Sequence, residues 1–80
     1  MNYVYLLASL KEPSKRYIGI TNDIKQRLED HNRGKSPHTS KHKPWQIVAA
    51  IYFQNEQRAM DFEKYLKSGS GRAFAKKHFW

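Results

Sequence analysis

The sequence predicts an α/β fold of the α+β type: a three-stranded antiparallel sheet flanked by helices, in the order β-β-α-β-α-α. Three observations carry this prediction. Two strand-like runs, Asn2–Ser9 and Arg16–Ile20, stand either side of a short proline-containing turn, which makes an antiparallel hairpin the economical connection. A third run of strand character, Trp45–Phe53, lies between stretches whose apolar residues recur at helical spacing. No repeat, low-complexity tract or linker divides the chain, so residues 1–80 are expected to form one small domain.

Each element has its own local reason. In Asn2–Ser9 (NYVYLLAS), Tyr3, Tyr5 and Leu7 share one face of a strand, with Val4 and Leu6 on the other. Glu12-Pro13-Ser14 supplies the turn. Arg16–Ile20 (RYIGI) re-enters the sheet, and Gly19 removes a side chain where strand meets helix, which allows a close backbone approach. The polar Thr21-Asn22-Asp23 caps a helix expected from about Asp23 to Arg33, with Gly34 as a left-handed C-terminal cap. Lys35–Pro44 is a basic loop with two prolines and no periodicity. Trp45–Phe53 (WQIVAAIYF) is apolar on both faces and reads as a well-buried strand. Asn55 caps a second helix expected to end at Gly69, with Ala59, Phe62 and Leu66 as its apolar stripe and Met60 at the edge. Ser70 is expected to cap a short last helix with Phe74 inward and Arg72, Lys76 and Lys77 outward.

Charge and composition narrow the functional classes. Fifteen Lys and Arg against seven Asp and Glu give a net charge of +8, a strong bias in so short a chain toward a polyanionic partner. Nucleic acid comes first. An anionic membrane surface is the weaker choice, because no helix combines a basic face with a broad apolar one. No apolar run approaches the roughly 20 residues that span a bilayer, and the N-terminus lacks the basic region of a signal peptide, so a cytoplasmic location is expected. The absence of cysteine excludes disulfide scaffolds, thiolate zinc sites and cysteine nucleophiles, and suits a reducing compartment.

The stretch Arg16–His31 has the layout of a site. Arg27 and His31 are four apart on the first helix, adjoining the face that carries Ile24 and Leu28. A strand tyrosine, Tyr17, and a helical Arg/His pair therefore flank one tight junction. Glu63 is out of place in a different way. At 100° per residue it lies about 40° from Ala59, inside the apolar stripe of the second helix. An unpaired buried carboxylate costs several kcal/mol, so a metal ion, an arginine partner or an open cleft should compensate; a carboxylate at the stripe's edge reaching water is the plainer alternative. Taken singly, cross-strand tyrosines are common packing pairs, and an Arg/His pair is often a solvated surface. Two tyrosines, an Arg/His pair and an inward Glu in a very basic chain together point to phosphate chemistry.

These residues resemble a known family. Tyr3-Val4-Tyr5 followed by Tyr17-Ile18-Gly19 is similar to the paired motif that names the GIY-YIG endonuclease superfamily. The Arg27-x-x-x-His31 helix, the basic loop with Pro44-Trp45 and the Glu63 helix follow in the family's order. The resemblance covers nearly the whole chain, to about Gly71, and is nearest to small stand-alone bacterial members. It implies a three-stranded antiparallel sheet flanked by helices and divalent-metal-dependent cleavage of DNA phosphodiester bonds. It implies that Tyr5 orients the nucleophilic water or its base, that Tyr17 is the leading general base, and that Arg27 stabilises charge on the phosphorane. His31 would assist proton transfer beside Tyr17, and Glu63 would be the single protein ligand of Mg2+, with Mn2+ able to substitute. Mg2+ commonly binds through one or two carboxylates plus substrate phosphate oxygens, so one inward Glu suffices. Which of Tyr17 and His31 removes the proton stays open.

Two departures stand out. Tyr3 occupies the place of the family's opening glycine, and the region Lys67–Arg72 has no asparagine where many family nucleases carry one, which lowers the activity expected. The expected function is a DNA endonuclease of low sequence specificity, structure-selective in the manner of repair or recombination enzymes. Lys35, Lys41, Lys43, Arg72, Lys76 and Lys77 would contact phosphates in a salt-sensitive way. Duplex or branched DNA is the expected partner, with no membrane and no stable protein partner. The alternative is a non-catalytic nucleic-acid-binding module on the same scaffold. A structural adaptor would leave the inward Glu and the Arg/His pair without a reason.

Overall fold

The computed structural model describes residues 1–80. Strands β1 (Tyr3–Ser9) and β2 (Arg16–Thr21) form the expected hairpin, with Tyr5 opposite Gly19 and Leu7 opposite Tyr17. Strand β3 (Trp45–Tyr52) pairs antiparallel with the other side of β1, so the sheet order is β2-β1-β3. Helices α1 (Ile24–Asn32), α2 (Glu56–Leu66) and α3 (Gly69–His78) complete the predicted β-β-α-β-α-α order. Between α1 and β3 a single 3-10 turn, Ser40–His42, interrupts the basic loop.

Capping places the helices. Asp23 accepts the Gln26 amide at the start of α1, and Gly34 follows the helix with φ 78°. Asn55 accepts the Arg58 amide at the start of α2. The cap of α3 is Ser68, not Ser70, and α2 stops at Leu66 instead of reaching Gly69. The Ser68 hydroxyl donates to the Tyr65 carbonyl and accepts the Gly71 amide, closing one helix and opening the next in a two-residue junction. Gly71 makes so short a turn possible, because a Cβ there would overlap the Tyr65 backbone.

The burial of the sheet also differs from expectation. Trp45–Tyr52 is an edge strand; Ile47, Val48 and Tyr52 are 38%, 40% and 59% exposed, and only Trp45 is buried. The central strand is β1, buried continuously from Val4 to Ser9. A two-faced apolar run signals a buried strand only where helices cover both faces and strands flank both edges. Strand β3 has one strand neighbour, and α2 packs on β1 and β2. Its pairing with β1 slips between Leu6 and Leu7, whose partners are Ala49 and Ile47, so that exposed Val48 is the extra residue of a bulge.

The alternation of β1 divides the core in two. Val4 and Leu6 pack with Ala59, Leu66 and Ala75 from α2 and α3. Tyr5 and Leu7 pack on the opposite face with Trp45, Tyr17 and Leu28. Each fully buried leucine contributes roughly 1.5–3 kcal/mol by leaving water. No helix is long and apolar enough to cross a membrane.

Candidate active site

The hairpin register builds the floor of the site. Because Leu7 faces Tyr17 and Tyr5 faces Gly19, the two tyrosines are diagonal neighbours on one sheet face, with ring centroids 6.2 Å apart. Gly19 is needed here for its missing side chain: a Cβ would collide with the Tyr5 phenol, which lies across β2 at that point. The close approach expected at Gly19 is thus made by an aromatic ring.

Helix α1 supplies the rest. Its cap is braced by Thr21, whose hydroxyl oxygen accepts the Asp23 amide, and the 3.6-residue period then brings Arg27 and His31 to the tyrosines. The Arg27 Nε donates to the Tyr5 hydroxyl at 3.3 Å, and the same hydroxyl lies 2.9 Å from His31 Nε2. The His31 ring also stands beside Tyr17, centroids 4.9 Å apart, without a hydrogen bond between them. Its other nitrogen, Nδ1, lies 2.7 Å from the Thr39 hydroxyl, and the Thr39 carbonyl accepts the Trp45 indole N–H at 2.8 Å. Both His31 nitrogens are therefore occupied, and the ring is fully buried.

This arrangement sets the charge of each group. Burial, assisted by the Arg27 charge, pushes His31 below the ordinary histidine value, so the imidazole is neutral near pH 7. Burial also raises Tyr5, partly opposed by the Arg27 hydrogen bond, and Tyr5 remains a neutral phenol. The bond to Tyr5 raises Arg27 further, and its guanidinium stays charged. Tyr5 and His31 are enclosed, whereas Tyr17 and Arg27 are half-buried and reach solvent. The site is two buried supports behind two accessible groups.

Glu63 stands apart from this quartet. Its helix α2 packs against β1 and β2, and its side chain is 15% exposed. Its partner is Lys67, one helical turn on, and not the arginine considered from the spacing. No group of three or more His, Asp or Glu side chains forms a metal cage. A single recessed carboxylate could serve a hydrated divalent ion, which needs few protein oxygens, only where Lys67 gives up its pairing. Lys67, the partner of Glu63, lines a cleft of about 550 Å³ together with Tyr17.

The basic residues fall into two groups. Lys35, Lys41 and Lys43 are exposed on the loop after α1, and Lys35 lies 3.5 Å from Asp30. Arg72 and Lys76 line the cleft beside Tyr17, whereas Lys77 is exposed on α3 outside it. Four residues lay outside the candidates chosen from the sequence: Thr39, which holds His31, and Arg16, Lys67 and Trp80 of the cleft. Only Arg16, beside Tyr17 in the strand, carried a signal that spacing could have used.

A family model described as the GIY-YIG catalytic domain matches residues 1–77. The chain is 41% identical over 69 residues to the structure-specific endonuclease subunit SLX1 homolog of Drosophila mojavensis, covering 75% of this chain and 23% of that protein. It is 42% identical over 65 residues to the structure-specific endonuclease subunit slx1 of Talaromyces stipitatus, covering 74% of this chain and 17% of that one. It is also similar to a UPF0213 protein of Clostridium perfringens, 35% identical over 68 residues, covering 84% and 71% of the two chains. The chain thus spans a quarter or less of the two endonuclease subunits. No solved structure matches it.

Proposed function

The chain belongs to the GIY-YIG catalytic-domain family, a family of nucleases, and from that premise we propose that it is a divalent-metal-dependent endonuclease. Its substrate in this reading is duplex or branched DNA, cut with low sequence specificity and with selectivity for DNA structure. The observation that carries the reading is the Tyr5 hydroxyl, held between Arg27 and His31 directly behind Tyr17. A plain core has no use for two polar side chains converging on one buried phenol.

Each residue then has a task. Tyr17 is the accessible hydroxyl; with its own proton first given up to solvent, its phenolate takes the proton from the attacking water. His31 is too deeply buried to meet that water; neutral and bonded on both nitrogens, it fixes the Tyr5 phenol. Tyr5 in turn fixes the Arg27 guanidinium, which balances the negative charge that grows on the phosphate oxygens. Glu63 would hold the divalent ion, Mg2+ or Mn2+, by releasing Lys67, and that ion supplies Lewis-acid polarisation of the phosphoryl group when bound. Low sequence specificity fits a chain whose cations are spread over a loop and a helix face and serve phosphates. Structure selectivity is favoured by the similarity to the two structure-specific endonuclease subunits.

One observation favours a second reading. The Glu63–Lys67 pair already compensates the recessed carboxylate, as a non-catalytic nucleic-acid-binding module would require. The Glu63→Gln protein separates the two when assayed on labelled duplex, nicked and branched DNA with magnesium, manganese or chelator. The nuclease reading expects metal-dependent cleavage by the native protein that Glu63→Gln loses while still binding DNA. Binding with no cleavage under any metal would establish the module instead.

A further inference from the structure

The cleft beside Tyr17 carries more than phosphate contacts. Four cations line it, Arg16, Lys67, Arg72 and Lys76, of which Lys67 is paired with Glu63, and no Asp or Glu lies among its lining residues. The fifth element is aromatic: Trp80 forms part of the wall, and the Arg16 guanidinium lies 4.8 Å over its ring. A planar cation on a planar indole is a ready stacking platform, and stacked bases favour both surfaces. The volume of about 550 Å³ suits a guest of nucleotide size and is far too small for a duplex.

The geometry points to this cleft as a binding site for a single-stranded DNA segment, one unpaired base stacking on the Arg16–Trp80 platform while Lys67, Arg72 and Lys76 hold the flanking phosphates. The duplex alternative fails on a physical ground. Paired bases present only their edges to a protein, and an aromatic platform needs an exposed base face. Because Tyr17 lines the same cleft, the bound strand would run directly to the proposed reacting group. The site therefore rests on, and deepens, the nuclease reading. It adds a reason for choosing DNA that has a single-stranded arm beside the scissile bond.

The test reads binding without cleavage, so it is independent of catalysis. Labelled single-stranded oligonucleotide and matched duplex are titrated with the full chain in chelator, following anisotropy and tryptophan emission. The native protein should show quenching on saturation with single strand, and Trp80→Phe should lose most of that quenching, since Trp45 is buried away from the cleft. Arg16→Glu should weaken single-strand binding about tenfold or more. Lys25→Glu, the same charge reversal on the exposed face of α1, should weaken it no more than about threefold. Circular dichroism of each variant identifies any that has not folded, and Arg16→Gln then replaces Arg16→Glu. Equal losses from Arg16→Glu and Lys25→Glu, or Trp80 emission unchanged at saturation, would overturn the site while leaving metal-dependent cleavage unaffected. Failure to cleave DNA would overturn the nuclease reading and leave this binding result standing.

Discussion

The two faces of β1 make the instructive comparison. Alternate residues of one strand point into two different environments, a consequence of the period of two. Val4 and Leu6 enter an apolar cluster with Ala59, Leu66 and Ala75. Tyr5, on the other face, meets Arg27 and His31, and His31 in turn meets Thr39, in a polar chain with every buried side-chain polar atom partnered. The apolar face needs only volume and shape. The polar face needs particular atoms at particular positions, since a buried polar group left alone costs much more than a lost contact. The stability of the domain should therefore lie mostly on one side of β1, and the polar support behind Tyr17 on the other.

Substitutions on the apolar face should have the largest effect on stability. Leu6→Ala is expected to cost about 2–5 kcal/mol in denaturant unfolding, with the same DNA affinity per folded molecule. A smaller effect is expected at Tyr5→Phe, which keeps the ring and removes the shared hydroxyl. It strands His31 Nε2 and releases Arg27, at a cost of about 1–3 kcal/mol, while cleavage falls more than stability. If the cleavage rate of Tyr5→Phe follows its folded fraction alone, the two faces are not different in kind.

Acid should separate the faces more gently. Folded His31 takes up a proton less readily than an ordinary histidine near 6.5, because of burial and the Arg27 charge. As pH falls the unfolded chain protonates first. The stability present above about pH 6.5 is then lost as pH drops through the folded value. Unfolding midpoints between pH 8 and 5 should decline on the acid side in the native protein, and less so in His31→Gln. Equal declines would place the titrating group elsewhere.

The comparison also shows what the sequence could carry. Local signals were legible: the capping stretch Thr21-Asn22-Asp23 and the cap Asn55, the terminating Gly34, the four-residue spacing of Arg27 and His31, and the strand alternation that separates Tyr5 from Leu6. Each depends on residues a few positions apart. Sheet order was not legible, because an apolar strand has the same sequence whether it has one neighbour or two; β3 consequently looked buried and proved to be an edge. Ser68 and Ser70 both precede glycine, and only the overlap that a Cβ at Gly71 would make with Tyr65 explains why the turn is so short. Thr39 looks like any loop threonine until the fold brings it to His31, and the Arg16–Trp80 pair joins positions at opposite ends of the chain.

The central claim is that the polar face of β1 supports catalysis at Tyr17. The most direct measurement is single-turnover cleavage of labelled branched DNA with magnesium, native protein against Tyr17→Phe, with folding and DNA affinity measured on the same samples. The account predicts metal-dependent cleavage by the native protein and a loss of about 100-fold or more in Tyr17→Phe, with affinity and fold retained. Cleavage by Tyr17→Phe at the native rate would contradict it.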